Sequence, residues 1–234
     1  MDARLRLLAV TAAMTGFALP ALADEFVPPA GCSLTMTEQS RNCTVSQYFI
    51  CENAPGHRWR ITFDAEGAIY INEIDAEAQW LRDRSLPDGG WTITEQPAED
   101  PSSITTLFET GRDDWSFVQR LPSGQRVRVE GYDRLLGETE MIDGEELERT
   151  QYSFRLLAMD GTELSESSGE EYASRHYRRF FGGLRTTEID GASVTTDSSP
   201  SRFIHEGEPG YGSTLPLHGC GQMMSGELLP GERT

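Results

Sequence analysis

Arg58-Trp59-Arg60-Ile61-Thr62-Phe63 is followed by Asp64-Ala65-Glu66-Gly67 and then by Ala68-Ile69-Tyr70-Ile71-Asn72-Glu73-Ile74. In the first run Trp59, Ile61 and Phe63 fall on one side of an extended chain and Arg58, Arg60 and Thr62 on the other, because side chains alternate across a strand. Asp64 to Gly67 has turn composition, so the third run returns as an antiparallel partner.

The same pattern extends in both directions. Thr44 to Ile50 is rich in strand formers. Trp91 to Glu95 reads as a strand, and 96–103, broken by Pro97 and Pro101, as a loop. Gly111-Arg112-Asp113-Asp114 separates expected strands at Ile104–Thr110 and Trp115–Arg120, and Arg126-Val127-Arg128-Val129 alternates strictly. Asp143-Gly144 and Asp160-Gly161 are hairpin dipeptides; between them Tyr152, Phe154 and Leu156 share one face while Gln151, Ser153 and Arg155 share the other. One helix is expected over Ala76–Arg84, where Glu77, Trp80 and Leu81 sit at helical spacing and Pro87-Asp88-Gly89-Gly90 stops the run. After Thr187 the alternation fails: 190–201 reads as a loop and 205–234 as an irregular tail.

Closely spaced turns between half-polar strands predict an all-β fold, an antiparallel meander forming a half-barrel or barrel, with one short helix and a disulfide-tied tail. The expected organisation is a signal peptide at 1–23, an N-terminal Cys-containing segment at 24–57, the antiparallel β domain at 58–187, and a loop with C-terminal tail at 188–234.

The signal peptide rests on Arg4 and Arg6, the apolar run Leu7 to Leu19, and Ala21-Leu22-Ala23 ahead of Asp24-Glu25. That run is too short for a membrane span, and no other apolar run of spanning length follows. Ala30-Gly31-Cys32 looks like the end of a lipoprotein cleavage box, but the residues before it are charged and Pro-rich, and lipidation would leave three thiols. The expected location is therefore periplasmic or secreted.

The formal net charge is -18. Such an acidic protein repels phosphate backbones and anionic headgroups, which argues against nucleic acid as a partner. All 20 basic residues are Arg, which removes Schiff-base, phosphate-loop and Ser-Lys chemistry that requires Lys.

Cys32, Cys43, Cys51 and Cys220, an even set in an exported chain, imply two disulfides. Cys43–Cys51 is excluded if the run between them is a strand, since eight extended residues cover about 26 Å. Of the two remaining connectivities, Cys32–Cys43 with Cys51–Cys220 is preferred, because Thr37-Glu38-Gln39-Ser40 is polar enough to reverse the chain. No C-x-x-C pair suggests zinc, and no metal or cofactor is expected.

Catalytic signals are weak. His57, His176, His205 and His218 are scattered, and no Ser lies in a G-x-S-x-G context. Glu145-Glu146, Glu170-Glu171 and Asp113-Asp114 read as solvated turn or strand-edge pairs rather than a glycosidase dyad, and Asp190 and Asp197 lack EF-hand spacing. The most distinctive segment is Arg175-His176-Tyr177-Arg178-Arg179-Phe180-Phe181, basic and aromatic inside an acidic chain. It suits a carboxylate clamp or an outer strand pairing with surrounding acids.

These observations favour a non-enzymatic cell-envelope protein that binds a small or lipidic ligand in a β-sheet cavity. The expected lining is Trp59, Phe63, Trp115, Phe117, Tyr152 and Phe154, with Arg175, Arg178 and Arg179 for an anionic group. Two alternatives are an interaction module of an envelope assembly, presenting the strand at 175–181 to a protein partner, and a hydrolase using His205 or His218.

Overall fold

A computed structural model describes residues 25–189 and 191–221. The signal-peptide reading of residues 1–23 lies outside them.

The chain forms one antiparallel sheet. Its strands are β1 (Cys32–Ser40), β2 (Thr44–Cys51), β3 (Arg58–Phe63), β4 (Ala68–Ile74), β5 (Trp80–Ser85), β6 (Thr92–Thr94), β7 (Arg112–Arg120), β8 (Arg126–Ile142), β9 (Glu145–Ala158), β10 (Glu163–Ser174), β11 (Arg179–Phe181), β12 (Leu184–Ile189), β13 (Ala192–Asp197) and β14 (Pro200–Ile204). The hydrogen-bonded order runs β13-β12-β10-β9-β8-β7-β6-β5-β4-β3-β2-β1-β14, with β11 also on β10. From β1 to β10 this is a meander, each strand pairing with its sequence neighbours.

Among the described residues no strand ladder closes the sheet; side chains bridge the gap. Met36 of β1, Tyr48 of β2 and Phe203 of β14 pack with Ile142 of β8, Leu147 of β9 and Phe181 of β11. Phe181 meets Phe203 at 4.9 Å and Tyr48 at 5.8 Å between ring centroids, both edge-on. The Phe203 amide donates to Asp143 Oδ2 in the β8–β9 turn at 2.9 Å. The result is an open half-barrel with its two ends welded by an aromatic core.

The first strands are covered on both sides. Phe26 packs on Phe49 and Phe63. Gln47 Nε2 donates to the Ser213 carbonyl at 2.7 Å, Gln39 Nε2 to the Leu215 carbonyl at 3.0 Å, and the Tyr211 hydroxyl to the Leu34 carbonyl at 2.7 Å. The tail thus satisfies polar groups that its own cover removes from water. Residues 24–57 and 188–204 supply β1, β2, β13, β14 and the end of β12, so they complete the sheet rather than flank it. The expected loop at 190–201 contains β13 and the start of β14.

The helix is elsewhere than expected. The run at 76–84 turns at Asp75, whose Oδ1 accepts from the Glu77 and Gln79 amides at 2.8 and 3.0 Å, and then extends as β5. One helix lies among the described residues, α1 (Ile104–Thr110), where a strand was expected. Its β-branched residues suggested extension, but its ends decide. Ser103 caps the start, accepting from the Thr106 amide at 3.1 Å, and Gly111, at φ 84°, returns its amide to Leu107. Ile104 and Leu107 are fully buried.

The disulfides are Cys32–Cys51 and Cys43–Cys220, which corrects the preferred pairing. Thr37 to Ser40 does not reverse the chain; it belongs to β1, so Cys32 and Cys43 sit at opposite ends of a hairpin. Cys32 lies directly across from Cys51 in the β1–β2 register. The length argument that excluded Cys43–Cys51 applies equally to Cys32–Cys43.

Candidate functional site

The concave side of the sheet encloses a cavity of about 370 Å³. One wall is aromatic. Trp80 meets Trp115, Phe117 and Phe154 at centroid distances of 5.6, 5.9 and 5.4 Å. Trp115 lies over Gly131 of β8. A Cβ there would stand 2.7 Å from Trp115 Cη2 and 2.6 Å from Phe154 Cβ, so a side chain would displace the wall.

The remainder of the lining is charged and polar. Arg60 and Tyr70 come from β3 and β4, Asp83 from β5, Asp133 from β8, Glu171 from β10 and Arg179 from β11. Asp133 accepts from the Trp115 indole N–H at 2.9 Å. Burial raises its pKa well above the ordinary carboxylate range, and the nearby Asp113 adds to the effect. Glu171 is likewise raised, by burial and by the charge of Asp133. Asp83 is pushed up to about 6, chiefly by burial. The Tyr70 hydroxyl, buried beside Asp83, is raised to about 12.

These shifts fix the sign of the pH dependence. Each carboxyl holds its proton more tightly folded than unfolded, so the native state binds more protons and stability falls as pH rises. The fall begins near the unfolded values of about 4 and continues through about 6 for Asp83 and through the raised values of Asp133 and Glu171. The expected result is a higher Tm at pH 5 than at pH 8. Asp133→Asn keeps an acceptor for Trp115 and should flatten the difference. A Tm that rises from pH 5 to pH 8 would contradict the assignment.

Of the residues expected to line a pocket, Trp115, Phe117, Tyr152, Phe154 and Arg179 do so. Trp59 and Phe63 are not among the lining residues: Trp59 stacks on Phe49 and Phe63 meets Phe26, beneath the N-terminal lead. In β3 the apolar parity faces outward under that cover, and the polar parity, with Arg60, faces the lumen. Arg175 and Arg178 also lie outside the lining. Arg175 bonds Glu148 at 2.6 Å and rests over Phe108; Arg178 bonds Glu77 at 2.6 Å and the Ala76 carbonyl at 3.2 Å. The segment 175–178 is a turn rather than an outer strand, and Arg179 is buried.

Arg60, Tyr70, Trp80, Asp83, Asp133 and Glu171 were missed. The available signal was the polar parity of β3 and β4, with Arg60, Tyr70 and Asn72, which reads as a solvent face only if the opposite face is assumed to be the core; Asp133 lies instead on the apolar parity of β8 with Val127 and Val129.

His205 lies 3.2 Å from Glu145 and stacks on Tyr177, while the His218 carbonyl accepts from the Cys43 amide. Among the described residues, no group of three or more His, Cys, Asp or Glu is placed to hold a metal ion, and no helix is long and apolar enough to cross a membrane. The chain matches no protein-family model, no curated protein and no solved structure.

Proposed function

We propose that this is an exported, non-enzymatic binding protein of the cell envelope, periplasmic or secreted, that holds a small ligand in the half-barrel cavity. The observation that carries the reading is the cavity itself. Its volume of about 370 Å³ falls within the roughly 300–1,000 Å³ of small-molecule sites, and an aromatic wall with a few convergent polar groups is the lining such sites use. The mixture favours a compact amphipathic ligand over a purely apolar lipid tail. Two disulfides fit an oxidising compartment. The interaction-module reading loses its motive, since Arg175, Arg178 and Arg179 are occupied within the molecule or buried.

Native mass spectrometry of the protein purified from its own host tests the proposal. The expected result is a bound small molecule that is released on denaturation. If no adduct is found, and a panel of small amphipaths leaves the fluorescence of Trp80 and Trp115 unchanged, the cavity is a packing feature and the proposal fails.

A further inference from the structure

We infer that Arg179 and Arg60 form the anion-binding end of the cavity, and that its ligand is a small monocarboxylate whose apolar body lies against Trp80, Trp115 and Phe154. The inference rests on the cavity reading above and adds the chemical class of the occupant.

Arg179 is 5% exposed, and its Nε is enclosed with no hydrogen-bond partner. Its guanidinium carbon sits 3.8 Å from the centre of the Tyr48 ring. Arg60, directly across from Tyr48 in the β2–β3 register, donates from Nε to Asn72 Oδ1 at 3.2 Å. The ion pairs within 4.0 Å among the described residues include neither guanidinium. The nearby buried carboxylate, Glu38, accepts from the Tyr48 and Ser40 hydroxyls instead. Arg60 and Arg179 thus line the lumen without a close ion pair: Glu38 is engaged by hydroxyls, and of Asp83, Asp133 and Glu171 on the same wall, Asp83 and Glu171 act on Arg60 only from a distance.

Shortage of acids does not explain this. The chain has 38 Asp and Glu against 20 Arg, and Arg82, Arg175 and Arg178 each have a carboxylate at 2.6 Å. A buried cation without a close counter-ion is costly, and burial lowers the Arg179 pKa to about 10. An anion entering the cavity would relieve that cost. The planar guanidinium fork matches a planar carboxylate through paired N–H···O bonds. A dianionic phosphate fits less well, because Asp83, Asp133 and Glu171 line the same space and, once ionised, would repel its second charge.

The competing account is that Arg179 is a structural brace held by its contact with Tyr48. The test uses the purified, disulfide-intact protein and two probes of one shape, 4-phenylbutyrate and 4-phenylbutyramide, with inorganic phosphate as a third. Binding is read by tryptophan fluorescence and calorimetry. Wild type should bind the acid about tenfold or more tighter than the amide, a difference of about 1.4 kcal/mol. Arg179→Met and Arg60→Met should bind the amide as wild type does and lose the preference. Ligand-free Arg179→Met should melt no lower than wild type.

Equal binding of acid and amide by wild type overturns the inference and leaves the cavity reading standing. Tighter binding of phosphate than of phenylbutyrate overturns the carboxylate assignment. If Arg179→Met melts well below wild type while Arg60→Met keeps its preference for the acid, Arg179 is a brace and the assignment falls. Failure of both organic probes to bind counts against the cavity reading itself and takes this inference with it.

Discussion

Replacing Cys43 and Cys220 together by Ser should lower stability by about 5 kcal/mol, against about 3 kcal/mol for the Cys32/Cys51 double replacement. The difference comes from loop length. Cys43–Cys220 joins residues separated by 177 positions, whereas Cys32–Cys51 closes a hairpin of separation 19. In the chain-entropy model the longer loop restricts the unfolded chain more. The long bridge has a second role. It anchors the tail whose backbone accepts from Gln47 and Gln39 on the covered side of β1 and β2, so a released tail would leave those amides in need of partners. Urea titration of the two double variants checks the ordering. Non-reducing peptide mapping should recover a Cys32–Cys51 and a Cys43–Cys220 peptide; equal losses of stability in the two variants would contradict both the loop-length ordering and the tail's added contribution.

The contrast between what was and was not readable from the sequence follows from the range of the interactions involved. Hairpins are local: Asp64 to Gly67, Asp143-Gly144 and Asp160-Gly161 each turn where their composition requires, and the strands beside them alternate as written. α1 is also locally encoded, in Ser103 and Gly111, but its Ile-Thr-Thr start speaks for extension, and capping outweighs that preference. The faces of β3 needed information that no local rule contains. Trp59 and Phe63 look like lumen residues until the covering segment, Phe26 among it, is placed on that side. The same ambiguity hid Arg60, and with it the polar character of the cavity. Alternation identifies two faces; only the far ends of the chain decide which of them is inside.

Those far ends also set the second large effect. Phe181→Ala should destabilise the protein by about 3 to 5 kcal/mol, the range for removing a buried aromatic ring from a packed core. Phe181 is fully enclosed, and it is the ring through which β11 reaches Tyr48 of β2 and Phe203 of β14. Among the described residues no strand ladder joins β11 to β2 or β14 there, so apart from the Phe203–Asp143 bond and nearby ion pairs the weld depends on packing and has no ladder bonds that persist after the ring is gone. Phe181→Leu keeps most of the volume and should cost clearly less. Because the neighbouring Arg179 projects into the cavity, the Ala variant should also loosen that wall and weaken any ligand binding, whereas an equally costly truncation remote from the lumen should not. Denaturant unfolding gives the first quantity and probe binding the second. A loss well below 1 kcal/mol for Phe181→Ala would mean that the half-barrel holds its curvature by strand twist alone, with its ends merely adjacent.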